Sequence, residues 1–583
     1  MIFPKSFFTI VVLGLAIGFA VFGNSLDGNF VYDDNIVLSN SLLRQPASLL
    51  KFFTEPYFEN FPEGGLYRPL TLASFAFNFL ISGGNPAGFH LFNVLLHIAN
   101  SILVYFLLFK FTKSSRISLL SFIAFLVLPV HVEAVVSVVG RAELLSFFLA
   151  ALSVLFWAKE KFFAAAILFF AALLSKETAL ALPLILLCVS RYSKKDKKWL
   201  YYFIIAVLGY ALLRLRVLGG FALTPQAEFV FNPLKFVSVS ERLATAFKIL
   251  TLYIGNIFWP FNLSPDYSFN QIKSVNAFWR SAPALFGLAI FIFSISALAF
   301  GIWKKKINNL VAAVALFIFP YLIISNLFLP TGTIMADRIM YWPSLGLIFA
   351  AVLLCDFLLK HRQRAGKMFL FFGIFWMAAL SAVTIRQNKI WNNETALFKA
   401  MFEKSPDSVV AKTNWARVLA GNNAENAAKS LLTGALNIYP DFAPALNLSA
   451  QIYKKEGNSA EAERFFEKSL VLRPLNEEAL VGLSRVYFIE KKYRQAEHIL
   501  NLLIPKYGGE GNIFLKTVIQ LKAGRYQEAK NTLYEHFGSE PAADDSAKML
   551  WQYADWRLGV FGGDSKELKR AFADFERLFS GKQ

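Results

Sequence analysis

Long runs of uncharged apolar residues constrain this chain more than anything else in it. Phe8 to Phe22, Leu91 to Phe109, Ile117 to Pro129, Ala284 to Gly301, Leu310 to Leu329, Leu345 to Leu359 and Met368 to Ile385 each approach or reach bilayer length. A membrane span needs about 20 mostly apolar residues. With a hydrophobic share of 56% over 583 residues, the chain is too apolar for one water-soluble globule.

Charge fixes the orientation of these segments. The formal net charge is +19, of which +16 lies in residues 1–386 and only +3 in residues 387–583. Much of the excess sits in short clusters between apolar runs: Lys110/Lys113/Arg116, Lys159/Lys161, Arg191/Lys194/Lys195/Lys197/Lys198, Lys304/Lys305/Lys306 and Lys360/Arg362/Arg364/Lys367. That is the positive-inside pattern of cytoplasmic loops. Nucleic-acid binding would place a basic face on the soluble part instead, so no nucleic-acid partner is expected. Eleven spans fit, at 6–23, 88–109, 117–131, 143–158, 162–174, 179–190, 199–217, 282–302, 310–328, 339–359 and 368–386. The first follows only Lys5 and closes without an A-x-A-like site, which reads as a retained first span or signal anchor, with a signal peptide as the alternative. Leu243 to Phe258 is read as interfacial or re-entrant. An odd span count puts the two termini on opposite sides. Most acidic residues, including Asp33, Asp34, Glu133, Glu143, Glu177, Asp266 and Asp337, then share the outer face. The two cysteines, Cys188 and Cys355, make no disulfide framework.

The pattern changes near residue 407. Pro406, Pro440 and Pro474 recur every 34 residues, as do Ala428, Ala462 and Ala496. That is the tetratricopeptide period, one helix–turn–helix per unit. Ala450, Tyr453, Gly457, Ala462, Phe466 and Pro474 fill the expected positions of one unit, and Gly524, Tyr526 and Ala529 mark a weaker fourth. The expected organisation is all-α: a polytopic membrane domain over 1–386, a linker over 387–406 and a repeat superhelix over 407–583, with a groove suited to extended peptide.

Eight short motifs line the outer face in order. They are Tyr32-Asp33-Asp34, Tyr67-Arg68-Pro69-Leu70, Phe89-His90-Leu91-Phe92-Asn93, Pro129-Val130-His131-Val132-Glu133, Gly140-Arg141-Ala142-Glu143, Ser175-Lys176-Glu177, Leu263 to Ser268 and Asp337 to Ser344. Trp391-Asn392-Asn393-Glu394 leads into the repeats. With the 34-residue array behind them, these motifs resemble the transmembrane and tetratricopeptide-repeat O-mannosyltransferase family and its bacterial relatives, membrane glycosyltransferases of the C-type fold. Asp337 departs from the pattern, in which glutamate is expected before the arginine.

The resemblance implies a polyprenyl- or dolichyl-phosphate sugar as donor and a Ser or Thr hydroxyl of a translocated polypeptide as acceptor. Asp33 matches the family's catalytic base, and one direct displacement would invert the anomeric centre. Asp34 would then orient the acceptor or a divalent metal ion. A hydroxyl is a poor nucleophile without a positioned base. The leaving phosphate needs cations, and arginine suits it through its forked geometry. Candidates are Arg338 and Arg68 first, then Arg141, Lys176, Arg214 and Arg216. His90, Asn93, His131, Glu133, Asp266 and Tyr341 are assigned to the pocket.

Plainer readings stand beside these. Asp33-Asp34 on its own suits a turn or a helix cap. His90, Asn93 and His97 share one helix face and, with His131 and Glu133, either ligate a metal or hydrogen-bond between spans. Glu133, Arg141, Glu143 and Lys176 either pair structurally or bind donor. No P-loop, dinucleotide fingerprint or zinc-type cysteine pair is present, in keeping with a lipid-linked donor. A membrane-anchored repeat scaffold without catalysis is the alternative function, and a transporter of lipid-linked substrates is a third. A transporter would carry charges near the bilayer midplane of interrupted spans, whereas those here gather at outer span ends. Short basic loops favour a bacterial inner membrane, with active site and repeats on its non-cytoplasmic side.

Overall fold

A computed structural model describes residues 6–45, 49–58, 65–190, 197–219, 228–304, 308–538, 545–559 and 565–580. All regular elements among the described residues are helical. The chain divides into two compact units, Met1–Ser408 and Val409–Gln583.

The first unit opens with α1 (Ser6–Phe22), a short α2 (Asp33–Leu38), α3 (Pro69–Ser82) and α4 (Pro86–Thr112). A bent pair follows, α5 (Ser115–Val127) and α6 (Val132–Val136), then α7 (Arg141–Trp157), α8 (Phe162–Ser175), α9 (Ala181–Ser190) and α10 (Lys198–Leu218). It closes with α11 (Val239–Phe258), α12 (Ala282–Trp303), α13 (Asn309–Ile324), α14 (Tyr341–His361), α15 (Gln363–Asn388) and α16 (Glu394–Lys404).

Among the described residues, seven helices are long and apolar enough to cross a membrane, or eight if the bent pair counts as one span. The helices at 162–175, 177–189 and 309–324, placed among the eleven expected spans, are apolar but shorter. Of these, α8 packs on α7 and α10, α9 on α13, and α13 on α14. Residues 387–406, read from the sequence as a linker, belong to the first unit. There Ser405 and Ser408 meet Ser264 and Ser268 through hydroxyl contacts of 2.9 Å each.

The bent pair shows how an interrupted helix survives in hydrocarbon. Pro129 has no N–H and ends α5, and the chain turns by 52°. The Phe125 carbonyl thereby loses its partner four residues on, an unmet acceptor that costs free energy where water is absent. His131 Nδ1 bonds it at 3.0 Å. His97 Nε2 takes the Leu126 carbonyl at 3.1 Å, and the Thr384 hydroxyl donates to Val127 at 2.8 Å. Three side chains from three helices thus close the break. Gly140, at the next turn, sits against the chain itself: a Cβ there would stand 2.2 Å from the Ala134 carbonyl oxygen.

The second unit is a run of paired antiparallel helices: α17 (Val409–Gly421) with α18 (Glu425–Ile438), α19 (Ala443–Lys455) with α20 (Ser459–Leu472), α21 (Glu477–Ile489) with α22 (Tyr493–Tyr507), and α23 (Glu510–Lys522) with α24 (Tyr526–Phe537). Two more, α25 (Asp545–Arg557) and α26 (Ser565–Ser580), follow. Ala428, Ala462 and Ala496, the small residues of the 34-residue period, are fully buried, as is Ala529, 33 residues beyond the last of them.

Candidate active site

Tyr32 enters α2 at φ 50° and ψ −114°, a conformation an aromatic residue seldom adopts and one the surroundings must hold. The two aspartates that follow have different environments. Asp34 is fully buried. One of its oxygens accepts from the Val139 amide at 2.9 Å and the Ser137 hydroxyl at 3.2 Å, and the other from the Val31 amide at 3.3 Å. Burial pushes its carboxyl up to about 7, against the pull of those amides. Asp34 therefore fastens α2 to the 137–140 turn. Asp33 keeps 31% of its side chain exposed, and Arg338 Nη2 lies 3.9 Å from its carboxylate. Burial raises the Asp33 carboxyl above its ordinary range; Arg338 lowers it, and Glu133 raises it again. An open carboxylate with a raised pKa has the attributes of a general base.

Arg338 is set by Glu133, which is 5% exposed. The Glu133 carboxylate pairs with Nη1 of Arg338 and accepts its backbone N–H at 2.8 Å. The turn at Pro129 aims Glu133 at this point. Behind it, Lys176 pairs with fully buried Glu143, and Glu177 holds both Arg68 at 3.1 Å and Arg214 at 3.3 Å. Lys176 lies within electrostatic reach of Arg338 and Arg68. Of these cations Arg338 is the most open, with 30% of its side chain exposed against 14% for Arg68, 9% for Lys176 and 8% for Arg214.

The other candidates lie elsewhere or are engaged by the protein itself. Arg141 is fully buried: its nitrogens donate to Asn93 and to the Ser74 and Phe89 carbonyls, and its guanidinium lies over Phe75 and Phe92. Asn93 in turn donates to the carbonyls of Val135, Ser137 and Val138. This pair is a clasp behind the site, closed to a ligand. Arg216 is exposed on α10 and has no ion pair among the described residues. Tyr341 is buried, 2.8 Å from His97 Nδ1 and 3.1 Å from Asn100, and His131 Nε2 meets Ser344 at 2.8 Å. Both ring nitrogens of His97 and His131 are thus occupied, which matches the packing reading. His90 is buried behind α2, its Nε2 facing Gly28. Asp266 is engaged by Ser268 at 2.9 Å, and burial raises its carboxyl. Asp337 accepts from Asn256 and Tyr267. Among the described residues no group of three His, Cys, Asp or Glu side chains is arranged to hold a metal ion.

Two cavities are lined by sequence neighbours of these residues rather than by Asp33 or Arg338 themselves. One of about 770 Å³ opens beside α2, with Asn35, Leu38, Leu43, Arg44 and Phe79 in its lining. An apolar one of about 260 Å³ lies among α4, α7, α9, α13 and α14. Trp342, next to Tyr341, and Phe147, which contacts both, form part of its wall.

No family model matches the chain. Curated relatives do: human protein O-mannosyl-transferase TMTC1 is 26% identical over 492 residues, covering 73% of this chain and 54% of that protein. The Caenorhabditis elegans protein O-mannosyl-transferase F38B6.6 is 26% identical, covering 72% and 61%. Human protein O-mannosyl-transferase TMTC4 is 27% identical, covering 73% and 66%. The chain is a distant homologue of these transferases. It spans between about half and two thirds of their length.

What motif reading left unassigned is the role of Glu177 as the counter-charge that holds Arg68 and Arg214, whereas the structural pairing weighed for Glu143 and Lys176 is the arrangement present. The position of Glu177 inside the Ser175-Lys176-Glu177 motif was the available signal. Tyr57 was not visible at all: its buried hydroxyl stands near Arg68, whose guanidinium lies 5.4 Å from its ring centre, and it belongs to none of the eight motifs.

Proposed function

We propose that this chain transfers a sugar, mannose by analogy with its relatives' names, from a polyprenyl- or dolichyl-phosphate carrier to a Ser or Thr hydroxyl of a polypeptide. Asp33 takes the hydroxyl proton as the oxygen attacks the anomeric carbon. The bond from that carbon to the phosphate oxygen breaks, and the lipid phosphate leaves with the bonding pair. Attack opposite the leaving group inverts the anomeric centre. Arg338, clamped by Glu133, balances the growing phosphate charge, with Arg68 and Lys176 behind it.

The observation that carries this reading is the 3.9 Å approach of Arg338 to an otherwise open Asp33, a base and a phosphate-binding cation side by side. The apolar cavity near Trp342 suits the hydrocarbon of a lipid carrier. The charge pattern of the loops favours reaction on the non-cytoplasmic side. Membrane and organism remain those of the sequence expectation, a bacterial inner membrane.

Purified protein incubated with a panel of radiolabelled polyprenyl-phosphate sugars and Ser/Thr peptides, with and without chelator, tests the proposal. Label should pass to peptide with at least one donor and fail to do so with Asp33→Asn. A variant as active as the parent would remove Asp33 from the mechanism.

A further inference from the structure

The first helices of successive repeat pairs stand side by side, α17 against α19 and α19 against α21. Asn447, Gln451 and Lys454 follow one another along one face of α19 at helical spacing, and Glu478 and Arg485 do so on α21. The lower part of this seam is closed. Glu478 accepts from Asn447 at 3.2 Å with one oxygen and from Gln451 at 2.7 Å with the other.

Further along both helices the pattern fails to close. Lys454 lies one turn beyond Gln451 on α19 and Arg485 two turns beyond Glu478 on the neighbouring α21; burial lowers the Lys454 amine below its ordinary range, and the Arg485 guanidinium lowers it further. Neither has an ion pair among the described residues, whereas four neighbouring or comparable cations of this unit do: Lys429 with Glu456, Lys455 with Glu425, Lys492 with Glu463 and Arg525 with Glu497. The nearby carboxylate of Glu478 is committed to the two amides. Arg485 Nε and Asn447 Oδ1 are buried without a partner. Two partly desolvated cations with no acid between them cost stability unless an anion arrives to pair with them.

The far half of the array is already covered. Phe575 and Phe579 of α26 pack on Phe514 and Phe488, and Glu576 pairs with Lys522 at 2.6 Å. Within this unit, among the described residues, α26 packs against α21 but not against α17 or α19.

We infer that Gln451, Lys454 and Arg485 form a binding site for an acidic side chain of an extended polypeptide lying across α17, α19 and α21. The inference rests on the reading of the repeats as the polypeptide-binding part. It makes the preferred polypeptide one with Asp or Glu in the segment held by the repeats.

Binding is measured without sugar donor, so that its outcome is independent of transfer. The full-length protein in detergent micelles is titrated against a fluorescein-labelled Ser-rich peptide carrying three Asp, and against the same peptide with Asn at those positions, following anisotropy. The Asp peptide should bind about tenfold tighter, the gain of one charge-assisted pair, and the preference should shrink as salt rises. Lys454→Gln with Arg485→Gln should abolish it, while Lys454→Arg keeps it. Equal affinity for the two peptides, no binding of either, or a preference that survives the double substitution would each overturn the inference. If the double variant is misfolded by its thermal midpoint, Lys454→Gln alone is compared, and an unchanged preference there counts against the site.

Discussion

The Asp34 carboxylate accepts the Val139 amide at 2.9 Å, so the residue next to the open acid is a fastener between α2 and the turn before α7. The two adjacent aspartates should therefore fail differently. Asp34→Ala leaves the half-buried Val139 N–H and the buried Ser137 hydroxyl without their acceptor, which costs about 1–3 kcal/mol, and should lower the thermal midpoint together with activity. Asp33→Asn removes a base from an open position and should leave the midpoint nearly unchanged while turnover falls by about 10²–10⁴-fold. Thermal unfolding in detergent and single-turnover transfer separate the two. Equal midpoint losses would contradict the assignment.

The pH profile follows from Asp33. A general base works deprotonated, so its raised pKa moves the acid limb of kcat/KM above the ordinary carboxylate range. Arg338 counteracts that rise, and Arg338→Gln should shift the limb to higher pH as well as lowering kcat. A limb that stays in place, or moves down, would mean that another group titrates.

Among the cations, Arg338, Arg68 and Arg216 make a graded series. Arg68→Gln leaves Glu177 with Arg214 alone and should weaken both donor binding and stability. Arg216→Gln should change neither by more than about 0.5 kcal/mol, as for an ordinary surface site. Donor KM and thermal midpoints measured on one set of variants decide the order.

His131 tests the closed break. His131→Phe leaves the Phe125 carbonyl unmet inside the helix bundle, with an expected loss of about 1–3 kcal/mol, while bound metal measured by elemental analysis stays as in the parent. A loss of metal in parallel with stability would restore the ligand reading for this histidine.

Gly140 connects fold to site. A methyl group there meets the Ala134 carbonyl, so Gly140→Ala should displace the turn that holds Asp34 and lower both the yield of folded protein and its activity. A variant folded and active like the parent would show that the turn tolerates the shift.

The sequence by itself determined the parts that depend on local pattern. Apolar runs fix the helices of the first unit, although seven or eight rather than the expected eleven are long and apolar enough to cross a membrane among the described residues, and a 34-residue period fixes the paired helices, because each unit buries its small residues on its neighbour. The motif residues were also legible, since they are unusual where they stand. Which of them meet was decided only by the tertiary structure. Arg338 and Glu133 are 205 residues apart, and no local pattern says that a turn at Pro129 brings them together. Arg141 looks like Arg338 in sequence, yet one is clasped by Asn93 and carbonyls while the other faces Asp33. Asp33 and Asp34 differ by one position, and the direction each side chain takes from a short helix makes one a candidate base and the other a buried fastener.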